Sequence, residues 1–327
     1  MNPSTNNSSL PILVTGAHRS GTTWVGRMLA ADADTAYISE PLNVLHRPGI
    51  FRARVKHWYT YINKENEADY LPAFHELLDF RYHFWDEMRS IRSRKDFLRM
   101  GRDFHIFFVG EMQGQRALLK DPFAVFSTPW FAERLNCQVV FIIRHPAGFA
   151  SSLKRLNWPF DFGDLLAQPM LMRDYLEEDR ADMEKIQAGD IIGQAALLWR
   201  LIYRVVHSTL QQTPWPGRQD RRSNARDLHP DFKMVRHEDL SLDPVRGYRE
   251  LYQSLGLDFT PKVEKIIRTS SSSENPSKLS KKKVHSVNLD SLANVENWKK
   301  RLSADEITRI RKTTESVSHL YYTDAEW

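Results

Sequence analysis

Val14-Thr15-Gly16-Ala17-His18-Arg19-Ser20-Gly21-Thr22-Thr23-Trp24 joins a short apolar run, Ile12 to Thr15, to a segment whose Trp24, Val25, Met28 and Leu29 share one helical face. Strand, glycine-bearing loop and amphipathic helix in that order form the context of a phosphate-binding loop. Glycines let the backbone approach an anion, and the helix N-terminus offers unpaired N–H groups and the positive end of its dipole. The Gly16 to Gly21 spacing is that of the triphosphate loop G-x-x-x-x-G-K-[ST], but Thr22 stands in the lysine position. In triphosphatases that lysine reaches the outer phosphates, and an Asp at another strand end helps to hold Mg²⁺. Here the most apolar run, Val139 to Ile143, ends in Arg144. Both absences argue for an anion held by backbone amides and side-chain cations, Arg19 among them, without a metal. A plain glycine turn before a helix is the bland alternative.

Outward from this loop, short apolar runs alternate with longer amphipathic ones, the pattern of an α/β protein with a central parallel sheet flanked by helices. Strands are predicted at Ile12 to Thr15, Ala36 to Ser39, Ala117 to Leu119, Val139 to Ile143 and Phe232 to Val235. Helices are predicted at Thr22 to Ala31, Leu71 to Met100, Pro146 to Arg155, Ile191 to Gln211, Asp243 to Leu255 and Ala304 to Ser316. The strands are followed by Gly16, Glu40, Lys120, Arg144 and Arg236. Open parallel sheets place ligands beyond the carboxyl ends of their strands, so these five positions are site candidates, and together they favour an anion. Pro214 to Pro230 and Thr269 to Val284 read as mobile surface.

The chain has 327 residues, 46 Lys+Arg against 41 Asp+Glu, 41% hydrophobic residues and a single cysteine. That length and apolar content allow one large domain with a sizeable core. A disulfide scaffold is excluded because Cys137 has no partner, and the 11% aromatic content excludes wholesale disorder. No stretch approaches the apolar run of a membrane span, and the polar N-terminus lacks the features of a secretory signal. The expectation is a cytoplasmic protein, or the soluble catalytic part of a membrane-anchored one. One domain is expected over residues 10–327, with a disordered tail at 1–9 and acceptor-side insertions at 41–110 and 157–230. No metal is expected, since His18, His83, His105 and His145 lack metal-ligand spacing.

Four ordered blocks resemble the sulfotransferases that use 3′-phosphoadenosine 5′-phosphosulfate (PAPS), which implies a P-loop-type α/β fold. His18 to Trp24 resembles their 5′-phosphosulfate loop. Val139 to Ser152 resembles their 3′-phosphate element, an apolar strand, R-[DH]-P, and a serine eight residues after the arginine. Val235-Arg236-His237-Glu238-Asp239-Leu240 resembles V-R-Y-E-D-L, and Trp298 to Leu302 resembles W-[KR]-x-x-L. Lys120-Asp121-Pro122-Phe123 and Val287 to Asp290 are similar to blocks of tyrosylprotein sulfotransferases, while Glu40-Pro41 is similar to the E-P block of carbohydrate sulfotransferases. The histidine-base pattern of the cytosolic phenol and steroid enzymes is absent, because Asp121 follows Lys120.

The resemblance implies transfer of a sulfuryl group from PAPS to a hydroxyl, with a carbohydrate or glycolipid favoured as acceptor and peptide tyrosine as the alternative. It implies cofactor contacts from His18, Arg19, Ser20, Gly21, Thr22, Thr23, Trp24, Arg144, Ser152, Arg236 and Lys283 (or His285). It assigns Glu40 as base, with Arg19 and Lys120 stabilising charge on the transferring group. Trp24 reads equally as a stacking partner for adenine and as an apolar anchor, and Asp121 as a partner of Lys120 or an exposed acid. Trp58, Tyr59, Tyr61, Tyr82, Phe84 and Trp85 suit either an acceptor surface or a packed helical subdomain. Competing readings are a kinase or NTPase with a degenerate loop, and a nucleic-acid binder using Arg218 to Arg226 and Lys281 to Lys283. The chain carries no nucleic-acid motif, and no nucleic-acid partner is expected.

Overall fold

The computed structural model describes residues 10–45, 47–211, 232–277, 288 and 290–327. Five strands, β1 (Ile12–Gly16), β2 (Thr35–Ser39), β3 (Arg116–Lys120), β4 (Gln138–Ile143) and β5 (Phe232–Arg236), pair in parallel in the order β2-β3-β1-β4-β5. All five expected strands are present, extended by a residue or two. Their side chains alternate between two apolar layers, as the two-residue period of a strand covered on both faces requires. Leu13, Ile38, Leu119, Val139, Phe141 and Ile143 enter the larger layer, and Ile12, Val14, Leu118, Val140 and Ile142 the smaller.

The helices are, in chain order, α1 (Thr22–Leu29), α2 (Leu71–Leu78), α3 (Phe84–Ser90), α4 (Arg94–Gln113), α5 (Thr128–Leu135), α6 (Pro146–Leu156), the short α7 (Gly163–Leu166), α8 (Pro169–Leu171) and α9 (Arg180–Lys185), α10 (Ile191–Gln211), α11 (His237–Leu242), α12 (Pro244–Leu255), α13 (Pro261–Ser271), α14 (Ser291–Val295) and α15 (Ala304–Ser318). Helices α1, α11, α12 and α13 pack on the smaller layer. Helices α5, α6, α10 and α15 pack on the larger one. Among the described residues no helix is long and apolar enough to cross a membrane.

The single helix expected over Leu71 to Met100 is instead α2, α3 and the first third of α4. Phe80 causes the first break: it adopts φ 54°, outside the helical region, and turns its ring into the core against Phe107 at 6.0 Å. Ser93 starts α4 by accepting from the Asp96 N–H at 3.2 Å, an ordinary N-cap. Helices α5 and α13 were not anticipated. Of the segments read as mobile, 214–230 lies outside the described residues. Within the other, Thr269 to Ser271 belong to α13, while Lys283 lies outside the described residues, as do His285 and the 1–9 tail.

The connection leaving β1 runs over one face of the sheet through α1, and the one leaving β4 runs over the other through α6. The crevice between their carboxyl ends is therefore the switch point at which open α/β sheets bind ligands. Register aligns the rims, with Gly16 beside Ile142, Ser39 beside Lys120 and Ile143 beside Arg236.

Candidate active site

The loop between β1 and α1 is held from outside. The Tyr203 hydroxyl accepts from the Ala17 N–H at 3.2 Å and donates to the Ile142 carbonyl at 2.8 Å. The Tyr59 hydroxyl accepts from the His18 N–H at 3.2 Å and pairs with His18 Nδ1 at 2.6 Å. Ser20 closes the turn through its N–H and hydroxyl, both donated to the Ala17 carbonyl. Gly21 precedes α1 at φ 105°, and a Cβ there would lie 2.5 Å from His237 Cδ2. Only glycine meets both conditions. No side chain caps the first turn of α1, so its N–H groups face the crevice unspent by the helix. Buried Thr15 Oγ1, just before the loop, has no hydrogen-bond partner.

Arg19, at φ 68°, extends from this loop toward α6 and donates from Nε to Ser152 Oγ at 3.2 Å. The sulfate-loop and 3′-phosphate candidates thus meet directly. Arg144, at the start of α6, reaches the Arg19 carbonyl at 3.4 Å and the Asn294 carbonyl at 3.5 Å. Two further cations, absent from the expected set, complete the group. Arg19 feels Arg144 and Arg155 as like charges, and Arg301 feels Arg155 and Arg144. Burial holds all four guanidinium groups below the usual arginine range, and Arg19 falls to about 10. Both terminal nitrogens of Arg155 are buried without a hydrogen-bond partner among the described residues. Desolvated, mutually repelling guanidinium groups on folded elements are costly unless an anion occupies the space between them. Arg155 was findable, since it lies one turn after Ser152 on the same side of α6. Arg301 lies inside the Trp298 to Leu302 block, but its place beside Arg155 and Arg144 emerges only when the chain returns after α14.

On the other side of the loop, Glu40 Oε1 accepts from Lys120 Nζ, and its Oε2 accepts from Asn43 Nδ2 at 2.7 Å. Lys120 is buried at 3% side-chain exposure, whereas Glu40 keeps 24%. The carboxylate therefore opens to the crevice and the lysine stands behind it. Glu40 leaves β2 at φ 54°, where a non-glycine residue is uncommon. Asp121 is not the exposed acid of one alternative. It is buried, and it accepts from the Leu42 N–H at 2.6 Å and the Phe123 N–H at 2.9 Å. Burial first, then the Glu40 charge, pushes its pKa up to about 7. Its bonds fix the corner carrying Glu40 rather than the lysine.

Arg236 does not join the cationic group. Its guanidinium pairs with Glu326 and, at 3.7 Å, with Asp239, and it lies over Tyr322 at 4.6 Å. Glu326 thus engages it at the edge of the sheet, while its buried Nε has no hydrogen-bond partner among the described residues. The neighbours in its block do reach the site: His237 lies beneath Gly21, and Glu238 Oε1 accepts from the His145 N–H at 2.9 Å. Trp298 stacks on His145 at 4.9 Å and 7°, so the fourth block supports the arginine turn from below. His18, packed among Tyr59, Phe123, Phe149 and Phe160, is lowered to about 4 by burial and then by Arg19. A neutral imidazole is a spacer here, not an anion-binding cation. Trp24 rests on Tyr248 at 5.4 Å and His237 at 5.7 Å and donates to Ser270 Oγ at 3.2 Å, the contacts of an anchor. Thr22 is buried and Thr23 half-buried in the first turn. Of the aromatics read as an acceptor surface, Tyr59 and Tyr61 are core, and Trp85 is exposed.

Comparison with known proteins follows the same outline. Carbohydrate sulfotransferase 1 of Danio rerio is 27% identical over 197 residues, covering 60% of this chain and 38% of that protein. The chain thus matches well under half the length of this relative. Among solved structures, a sulfotransferase domain from the curacin biosynthetic pathway aligns over 96% of this chain and 99% of its own, at 15% identity and a TM-score of 0.45. A mouse sulfotransferase complexed with PAP aligns over 98% of this chain and 87% of its own, at 12% identity and a TM-score of 0.43. The model of the sulfotransferase family matches residues 11–193, a span that holds the loop, Glu40, Lys120, Arg144, Ser152 and Arg155. By that match over more than half its length, the chain belongs to the sulfotransferase family.

Proposed function

We propose that this chain is a sulfotransferase enzyme that takes its sulfuryl group from PAPS and passes it to a carbohydrate hydroxyl, releasing adenosine 3′,5′-bisphosphate. The observation that carries the reading is the four-arginine group at the β1/β4 crevice, lying across the loop from a carboxylate backed by a buried lysine. PAPS carries three anionic groups, and the site has donors for each. The amides of the loop and of the first turn of α1, with Arg19, would hold the 5′-phosphosulfate. Arg144, Ser152, Arg155 and Arg301 would hold the 3′-phosphate. The unpartnered nitrogens of Arg155 and the orphaned Thr15 hydroxyl fit a bound anion. We extend this role to the whole of residues 10–327 as one catalytic domain, with 41–110 and 157–230 bordering the acceptor.

Sulfuryl transfer resembles phosphoryl transfer in relying on alignment and on fixed charge rather than on covalent help from the protein. Arg19 and Lys120 would offset charge growing on the equatorial and leaving oxygens, and one such preorganised donor is typically worth about 3 to 4 kcal/mol. An alcohol must lose its proton as the new S–O bond forms, and Glu40 takes it. Lys120 Nζ donates to Oε1 of that carboxylate and so fixes its orientation toward the crevice. A saccharide is preferred as acceptor because the relative at 27% identity is a carbohydrate sulfotransferase.

The test is a thermal-shift comparison of adenosine 3′,5′-bisphosphate with AMP, ADP and ATP in the absence of metal. At about 100 times its dissociation constant a ligand raises stability by roughly 2.7 kcal/mol. Only the 3′,5′-bisphosphate is expected to do so, and Arg144→Ala is expected to erase its advantage over AMP. Metal-dependent stabilisation by ATP with no preference for the 3′-phosphate would overturn the reading. Transfer from labelled PAPS to saccharides, set beside tyrosine peptides, decides the acceptor class.

A further inference from the structure

Helices α3 and α4 carry an apolar surface that the fold does not use. Trp85, Phe97, Leu98, Phe104, Phe108 and Met112 are between 42% and 73% exposed. On α4, Phe97, Phe104 and Phe108 follow the i, i+7, i+11 spacing of one stripe, with Gly101 filling the remaining turn. That stripe is separate from the face carrying Met100, Asp103, Phe107 and Gly110, which is buried. The patch is continuous across the two helices, since Phe104 meets Phe84 at 5.9 Å and Phe108 at 6.1 Å, and Phe84 meets Trp85 at 5.4 Å. Soluble monomers rarely leave several large apolar side chains grouped this way without a partner.

The rim identifies the partner. Arg81, Arg92, Arg94 and Lys95 are exposed and make no ion pair among the described residues. Of the nearby acids, Asp86 and Asp96 are matched, by Arg89 at 3.5 Å and Arg99 at 2.7 Å, while Glu111, exposed near the end of α4, makes no ion pair among the described residues, so the cations are in excess. Aromatic and aliphatic side chains on one face, bordered by unpaired arginine and lysine, form the signature of a helix that lies in a lipid–water interface. A second copy of the chain fits less well, because a two-fold contact would gather both sets of the same cations around one rim. We propose that α3 and α4 dock this protein on a bilayer surface bearing anionic headgroups, with the aromatic stripe in the interface and the cations on the lipid phosphates and carboxylates. The docking helix is mechanically joined to the catalytic corner. Arg47 donates to Asp103 on α4 at 2.5 Å and also to the Ser39 carbonyl, one residue before Glu40.

The experiment is co-sedimentation of the full chain with phosphatidylcholine vesicles prepared with and without phosphatidylglycerol. Binding is expected only with phosphatidylglycerol, falling as salt is raised. Phe97→Ser with Phe108→Ser, and separately Arg92→Glu with Lys95→Glu, are each expected to weaken it about tenfold or more. These side chains are exposed, so the melting temperature should stay at its wild-type value. Failure to bind, or binding that both double variants retain, overturns the proposal while leaving the transferase reading untouched. So does a concentration-dependent dimer that the serine variant abolishes, which would give the patch to a second copy.

Discussion

Glu40 and Arg155 make opposite demands on the protein, and each can be isolated by one substitution. Glu40→Gln keeps the size of the side chain and a hydrogen bond to Lys120 but removes the base. It is expected to lower kcat by about 10² to 10⁴ while leaving the affinity for adenosine 3′,5′-bisphosphate near wild type, as checked by turnover and calorimetry. Loss of both would make Glu40 structural. Arg155 contributes two buried donors without partners beside other arginines, so the unliganded protein bears its charge at a cost. Arg155→Gln is expected to raise the melting temperature of the free protein. The same change should weaken binding of the 3′,5′-bisphosphate about 10- to 100-fold, the worth of a charge-assisted hydrogen bond, and leave AMP unchanged. A variant that binds both nucleotides as wild type would place the 3′-phosphate elsewhere. Glu40, Lys120 and Arg144 were legible in the sequence because each ends a strand whose apolar run was plain. Arg155 was overlooked because a lone arginine in a helix ordinarily reads as solvated surface.

At the scale of elements, strands proved easier to read than helices. Strands β1 and β4 are near-continuous apolar runs closed by Gly16 and Arg144, and even β5, with Lys233 inside it, stays apolar enough for its position and outer end to show in one short window. The start of α4 carries a local signal in the Ser93 cap, but the break after α2 depends on Phe80, whose departure from helical geometry is rewarded only by a core formed by distant residues. Nothing in the local pattern of 71–100 records that. Asp121 shows the same dependence on partners far along the chain. Its two oxygens accept from N–H groups of two segments, Leu42 after β2 and Phe123 after β3, and so join the base-bearing corner to the lysine-bearing one. Asp121→Asn turns one acceptor into a donor against a buried N–H. It is expected to cost about 1 to 3 kcal/mol of stability by chemical denaturation, and to lower kcat through misplacement of Glu40. Unchanged stability would show that the corner holds without this contact.

For the molecule as a whole, buried histidines set the response to acid. His145 is lowered to about 3 by burial, and His237 is held well below 6.5 by burial and then Arg144. The folded state refuses protons that the unfolded chain accepts near pH 6.5, so these groups contribute stability above that pH and lose it as the pH falls. Asp121, raised to about 7, and Glu238, also raised by burial, act in the other direction, because there the folded state holds the proton. His145→Phe keeps the stack on Trp298 and removes one histidine term. Between pH 6.5 and about pH 4.5 the wild type should lose about 2 to 3 kcal/mol more than this variant, by denaturation at each pH. Parallel profiles would show that His145 does not titrate on unfolding. The two tyrosines that hold the anion loop bear on a different question, that of portability. Tyr59 comes from the segment before α2 and Tyr203 from the middle of α10, yet their hydroxyls take the first two N–H groups of the loop and fix its curvature. The eleven-residue string from Val14 to Trp24 is therefore not a self-contained module. Grafted onto another strand–helix junction without those two hydroxyls, it would carry the motif without the shape, and a chain that shares only the string should not be credited with the site.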